Sequence, residues 1–523
     1  MLKVPENERV WKEYEKGLDF SSKIGLDETV KANENFFIGK QWEGIEANGL
    51  PTPVFNFLKR VVLFTVSSVA ASSVKMVVSP MGTGDWGFDA DVINAEFEEL
   101  FEINKIGSLI REFLRNAAVD GDGCMYTYWD SEAAANDGTR GRIVTEIVEN
   151  TRVFFGNVSD RSVQRQPYII VSRREMLERA RKRAKENGID PGEITADADS
   201  LRHTYSDADD KVTVLLKFWR NPETKTVWAV ECTKNAVLRS ARDTGLRLYP
   251  ITWLNWDYVQ GCYHGQAMIT GLIPNQVFIN KMYAMSMISL MTTAYPKIVY
   301  DKTRIAKWDN RVGAAIPVQG GDVNNVARII DPAQISPQIA QFIDMAVANT
   351  QAFLGATNAA LGDIRPDNAS AIIAVQKAAA VPNEITRQNL HQSIEDLGRI
   401  YIDFMGEYYG RRPVCVKASE EMAAALEFAG ADGKAVVTEF DFRRMKDGNI
   451  ALKLDVGASA YWSEIAAMQT LDNLLVSGKI GLDDYLERLP DGYIAKRQEL
   501  LDKVRAGNRT AGQDVPREGL NIW

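Results

Sequence analysis

The sequence predicts a helix-rich α+β chain of several subregions. Three observations carry that expectation. The first is length: 523 residues exceed what one hydrophobic core organises. The second is composition, with 45% hydrophobic and 25% charged residues, which is that of an ordinary folded protein. The third is a change of period along the chain. Apolar residues recur every three or four positions up to about residue 119, then give way to β-branched and aromatic runs.

Taken in order, 6–40 reads as a charged amphipathic helix and 54–78 as a longer, largely buried one. Residues 92–119 should form one or two helices, from apolar spacing alone. The runs 124–129 (CMYTYW), 143–148, 152–155, 167–172 and 212–219 read as strands, with Gly and Asp turns at 120–123 and 136–141. A charged helix, 173–187, interrupts them, and the acidic stretch 190–210 reads as an exposed loop. Strands resume at 226–231 and 246–255.

From Ala267 a Met-rich helix is expected to 294, broken or started near Pro274 and ended by Pro296. A Gly- and Pro-punctuated module of strands, with room for one short helix, occupies 297–332. A second helix follows at 336–354. Two long helices flanking a compact insertion is the main organisational feature. After a polar, small-residue loop comes a helix from 370 to about 409, which Pro382 should kink by removing a backbone donor. Short strands at 413–417, 435–442 and 449–456 and helices at 461–477, 482–488 and 493–506 complete the chain. The tail from 507 reads as mobile.

Composition narrows the function classes. A net charge of −9 argues against a surface wholly given to nucleic acid. Cys124, Cys232, Cys262 and Cys415 form no CxxC pair, so neither a disulfide framework nor a zinc site is expected. The N-terminus lacks the apolar stretch of a signal peptide. The uncharged run 61–74 is too short to span a bilayer, and polar residues interrupt 259–296, so both read as buried protein helices without membrane contact.

No motif announces a chemistry. The chain has no GxxxxGK[ST], GxGxxG or HExxH pattern, and its three histidines, His203, His264 and His391, lie in different regions. His391 with Glu395 reads as a surface hydrogen bond rather than a metal site. Asp197/Asp199 and Asp207/Asp209/Asp210 lack the ligand spacing of a calcium loop and read as solvated. The Met-rich helix (Met268, Met282, Met285, Met287, Met291) suits core or subunit-interface packing, with an adaptable binding face as the alternative. In helix 173–187, Arg173, Arg174, Arg179, Arg181 and Arg183 are diluted by Glu175, Glu178 and Glu186, which favours a solvated face over phosphate binding. In the 297–332 module, basic residues are interspersed with Asp301, Asp309, Asp322 and Asp331, so ion pairs between neighbours or an ordinary surface are expected, with DNA contact as the alternative.

One stretch points further. Residues 33–62, NENFFIGKQWEGIEANGLPTPVFNFLKRVV, carry Phe36-Phe37, Gly39, Gln41-Trp42, a turn flanked by Pro51 and Pro53, and Asn56 opening an apolar helix with Lys59 and Arg60. This order resembles the N-terminal signature of the portal proteins of tailed bacteriophages. NAAVDGDGCMYTYW (116–129), the block ending QPYIIVS (152–172), LGATNAALGDIRPDNASAIIAVQKAAAVP (354–382) and LDNLLVSGKIGLDDYLERLPDGYIAKRQEL resemble further family blocks in the same order.

The resemblance implies a portal-type fold assembling as a ring, the family's dodecamer, at one capsid vertex of the virion, after assembly in the host cytoplasm. It implies a wing (1–265), a first stem helix (266–296), a clip (297–332), a second stem helix (333–354), a tunnel loop (355–370), a kinked helix with return strands (371–460), a helical crown (461–506) and a mobile tail (507–523). Such a protein is no enzyme and needs no cofactor. It would pass double-stranded DNA without sequence specificity during packaging and ejection, with ATP hydrolysis supplied by a separate motor. Its partners would be copies of itself, the terminase motor, head-tail adaptors, and the major capsid and scaffold proteins. Asn358, Arg365 and Asn368 become DNA-channel candidates, with helix capping as the bland reading of Asn368. Lys302, Arg304, Lys307 and Arg311 become docking candidates of the clip. The alternatives are another virion structural protein, scaffold or adaptor, and an enzyme of unknown class built on the β-rich region.

Overall fold

Residues in the left-handed region decide where the first helices end. Gly25, at φ +64°, splits the expected 6–40 helix into α1 (Glu6–Lys23) and α2 (Leu26–Ile38). The computed structural model describes residues 6–70, 74–80, 87–134, 140–198, 210–294, 297–309, 311, 313–321, 323–330, 338–353, 383–417, 435–446, 450–456, 470–475, 477–488, 500, 501 and 503. The helix expected over 54–78 is shorter than its sequence suggested. α3 covers only Phe57–Ala70, and Val74–Pro80 forms strand β1. Pro51 and Pro53 keep the preceding segment out of the helix, and the β-branched VKMVVSP run prefers a pleat.

α4 (Gly87–Ile103) and α5 (Ile106–Asp120) fulfil the two-helix reading of 92–119, with Lys105 left-handed between them at φ 50°. α5 lies against α2 and α3 and buries Phe113, Leu114 and Ala117. Then the strands begin. β2 (Asp122–Ala134), β3 (Arg140–Ile147) and the later β9 (Ile251–Asn255) form one antiparallel sheet in the order β3-β2-β9.

A five-stranded antiparallel meander follows in strict sequence order: β4 (Val153–Phe155), β5 (Tyr168–Met176), β6 (Lys211–Arg220), β7 (Val227–Cys232) and β8 (Val237–Asp243). β6 is nearly all buried, because α1 covers it through Val10, Tyr14 and Leu18 around Phe154, Ile170 and Leu215 on one side of the sheet. Leu238 packs with Ala180, Ala184 and Val212 in a second cluster beneath α6 (Leu177–Glu186).

Two expectations shift here. The charged helix starts at Leu177 rather than 173, since Arg173 to Met176 pair with β6 as the end of β5. The expected strand 246–255 is only β9, while β8 went unread because its LRSARD run looks like loop or helix.

α7 (Ile273–Ala294) begins later than Ala267, with Pro274 in its first turn, where a missing N–H costs nothing. The 297–332 module holds the antiparallel pair β10 (Ile298–Tyr300) and β11 (Ala327–Ile329), registered Ile298 to Ile329, with no helix among its described residues. α8 is Gln338–Phe353. Pro382 and the whole loop 356–369 lie outside the described residues. α9 (Glu384–Phe404) continues into a π-helical turn, Met405–Tyr409. β12 (Arg411–Lys417) pairs with β13 (Ala435–Asp441), and β14 (Ile450–Val456) pairs with β1.

The chain divides into two compact units, 1–70 with 78–453, and 71–77 with 454–523. In the second, residues 470–475 are helical and α10 is Leu482–Arg488. Leu486 and Leu501 form a small apolar cluster with Tyr485, whose hydroxyl donates to Asp472 at 2.6 Å. Of the helix expected at 493–506, residues 500, 501 and 503 are described and helical. No helix among the described residues is long and apolar enough to cross a membrane.

Candidate functional site: an apolar helical hairpin and its anchor

The 33–62 signature folds into an arm whose polar side chains are spent on backbone. The Gln41 amide donates to Phe36 O, the Trp42 indole N–H to Pro53 O, and the Asn56 amide to Phe37 O. Asn56 also accepts from Lys59 N, which caps α3. Phe37 is buried and flanked by two cations, the Arg115 guanidinium 5.0 Å and the Lys59 ammonium 5.6 Å from its centroid. Arg115 also pairs with Glu34 and lies 3.8 Å from Asp120. Burial, and then the charge of Glu34, push the Asp120 carboxyl well above the usual range.

The arm then meets the base of α7. Asn280 donates to Gln41 Oε1 at 2.6 Å, Gln276 donates to Asn280 Oδ1 at 2.9 Å and to Phe55 O at 2.8 Å, and Leu58 N donates to Gln276 Oε1. All three side chains are buried. Phe55 stacks on Tyr283 with centroids 4.0 Å apart. The base is pinned.

Beyond it, α7 is only partly covered. Phe278, Met285, Met287, Leu290 and Met291 are 40–63% exposed. At 100° per residue Met287, Leu290 and Met291 share one face and Met285 points away from it, while Ser286, Ser289 and Thr293 line a small polar strip, so the distal turns are uncharged and apolar over most of their circumference. The reading of 259–296 as a buried helix therefore holds only at its base. α8 runs antiparallel beside it: Asn275, in the first turn of α7, donates to Thr350, in the last turn of α8, at 3.1 Å. α8 buries Ile343 but leaves Phe342 and Met345 more than half exposed.

The module between the two helices has a minimal core of Ile305 and Val326, with Tyr300 and Trp308 in ring contact at 5.3 Å. The Asp301 carboxylate accepts from the Thr303 hydroxyl and N–H, which hold it below the usual carboxylate range. The docking candidates separate into two kinds. Arg304 is structural: its guanidinium donates to Gln319 O, and its own carbonyl accepts from Gln319 N. Arg311 pairs with Asp309 at 2.6 Å, as the mixed charge led one to expect, and that pair lowers the Asp309 carboxyl and raises the guanidinium. Lys302 and Lys307 are exposed with no ion pair among the described residues. Val299, Val323, Ile329 and Ile330, all more than half exposed, add an apolar surface that charge counting missed. Asn358, Arg365 and Asn368 lie outside the described residues.

The remaining chemistry-bearing residues are structural. Asp122 is fully buried in the Gly-Asp turn. It meets His264 Nδ1 at 2.6 Å, accepts from Asn255 and from Gly265 N at 2.7 Å each, and from Asn150 at 3.3 Å. A Cβ at Gly121 would stand 2.7 Å from Gly265 O, and one at Gly123 2.6 Å from Phe113 O, so the turn needs both glycines. The His264 ring packs on Tyr263, with Trp253 and Phe20 farther out. This constellation ties β2 to β9 and the chain leading to α7.

His391 and Glu395 do not bond each other as expected: Glu395 pairs with Arg399, and burial with the nearby Arg387 lowers the His391 imidazole. Nor is the arginine-rich segment a free basic face. Arg173 pairs with Glu146, Arg174 with Asp197, Arg181 donates to Ile194 O, and Arg183 bridges Glu175 and Glu231. Asp197 is thus a buttress rather than a solvated loop residue. No cluster of three potential metal ligands occurs among the described residues.

Comparison with known proteins agrees with the sequence resemblance. The family model "Phage P22-like portal protein" matches residues 169–416, from β5 through the hairpin and its module to β12. The match supports a phage portal protein, and the family is structural rather than enzymatic. No curated protein matches the chain.

Proposed function

We propose that this chain is the subunit of a phage portal ring, closed by the α7–α8 hairpin packing against the hairpins of neighbouring copies. The carrying observation is that α7, inside the family-matched span, carries no charge beyond Lys281 yet leaves Met285, Met287, Leu290 and Met291 exposed in the single chain. A helix of that pattern is stable in water only when covered, and head-to-tail contacts around a ring cover both sides of it at once. Fully burying such a side chain contributes about 1.5–3 kcal/mol; for side chains already half covered, about 1 kcal/mol each is the appropriate scale.

In this reading the ring sits at a capsid vertex as a passive conduit for double-stranded DNA during packaging and ejection. The module between the helices is the docking surface for the terminase motor and the head-tail adaptors. Lys302 and Lys307 give it charge and Val299, Val323, Ile329 and Ile330 give it apolar contact, while Arg304 and Arg311 act on the module's own shape. Asn358, Arg365 and Asn368 stay the candidates for the channel wall, since one Arg against two Asp in that loop would let DNA slide. Twelve copies are the expected number.

Negative-stain electron microscopy of the purified chain tests this. Rings with an axial hole support it; a monomer or dimer that persists at high concentration, with scaffold and capsid protein added, rejects it.

A further inference from the structure

The hairpin is a lever, and its pivot is made of amides. Gln276 and Asn280 stand one turn apart on the same face of α7 and are 0% and 2% exposed. Together with Gln41 they form a continuous chain in which each side-chain amide both donates and accepts. An apolar contact tolerates small rotations, because dispersion is non-directional; a chain of short amide bonds does not. From Asn280 to Ala294 the helix runs 14 residues, about 21 Å at 1.5 Å per residue, so a tilt of 5° at the base moves the tip by about 2 Å.

We infer that the Gln41–Asn280–Gln276 amide chain fixes the angle at which α7 leaves the body and thereby selects how many copies close the ring. The inference rests on the assembly reading above and adds positioning residues to it. Closure is sensitive to such an angle: the rotation between neighbours differs by only about 2° between rings of twelve and thirteen. It also gives the signature a physical purpose. Gln41, in the Gln41-Trp42 dipeptide, lies 239 positions from Asn280 in sequence and is the group that orients it. Trp42 and Asn56 hold the arm that presents Gln41, through Pro53 O and Phe37 O.

The test compares the full wild-type chain with Asn280→Leu and with the double variant Gln41→Met/Asn280→Leu. The single change strands the Gln41 carbonyl; the double one replaces both partners with apolar groups of similar size and is the variant expected to keep folding. Each is measured by thermal unfolding and by native mass spectrometry of the assembled species. The inference expects the double variant to unfold as cooperatively as the wild type while spreading over two or more ring sizes, or needing at least 10-fold more protein to assemble. A double variant that forms the wild-type ring size alone, at the wild-type concentration, overturns the inference and leaves the assembly reading intact. A wild-type chain that never closes into rings overturns the assembly reading, and the inference with it.

Discussion

The β-layered body and the α7–α8 hairpin solve opposite problems. In the body the following buried and half-buried charges have partners within the chain: Asp122 with four, Arg183 between two glutamates, Lys217 with Glu13 and two aromatic rings. Its largest fully buried side chains include Phe97, Phe113, Phe154 and Phe442. In the hairpin the charges are few, and the large apolar residues face outwards. A region that satisfies itself can fold alone; a region that leaves Met285, Met287, Leu290 and Met291 exposed on an uncharged stretch of helix calls for a cover. In the proposed assembly the first is scaffold and the second interface.

That contrast can be attacked from either side. Asp122→Ala removes the acceptor of four groups in the body and leaves the buried His264 and the half-buried Asn255 without it. Stability should fall by about 3–5 kcal/mol in urea titration, with assembly lost only because folding is lost. In the hairpin the expected effect has the opposite signature. Met285→Lys with Leu290→Lys should weaken assembly at least 100-fold, read by analytical ultracentrifugation, while the thermal midpoint of the monomer stays put. If both variants lost stability equally, the division into scaffold and interface would fail.

A subtler difference lies in pH. Asp120 is an acid whose folded-state pKa is raised by burial and by Glu34, so the folded chain holds its proton to higher pH than the unfolded chain does. The contribution is therefore favourable at low pH and is lost as pH rises from the ordinary carboxylate range through the raised value. Asp120→Asn should flatten that slope in a series of urea titrations, without changing assembly. The smallest effect is expected at the module's surface. Arg311→Ala breaks a pair whose guanidinium is exposed, and the urea midpoint should not move measurably.

The sequence revealed the two regions unevenly, for physical reasons. Alternation and β-branched runs disclosed most of the meander, but LRSARD hid β8, since its pairing comes from its neighbour β7 rather than from its own propensity. Hydropathy marked α7 as a helix and misjudged its burial, because composition cannot say which apolar helix lacks a cover. Charge counting found Lys302 and Lys307, yet it grouped them with Arg304, whose hydrogen bond to Gln319 O depends on a turn 15 residues away. Gln41 was visible only as part of a signature. Its partner Asn280 is too distant in sequence for any local pattern to connect them.

The central claim is that copies of the chain cover the distal turns of α7. Hydroxyl-radical footprinting of methionine oxidation, on monomer and on assembled protein, addresses it directly. Met285, Met287 and Met291 are exposed in the single chain, whereas Met76, Met405 and Met445 are buried and serve as internal controls. The account predicts that assembly slows oxidation of the first three at least 10-fold and leaves the controls slow throughout. Equal oxidation of Met285, Met287 and Met291 in monomer and assembly would contradict it.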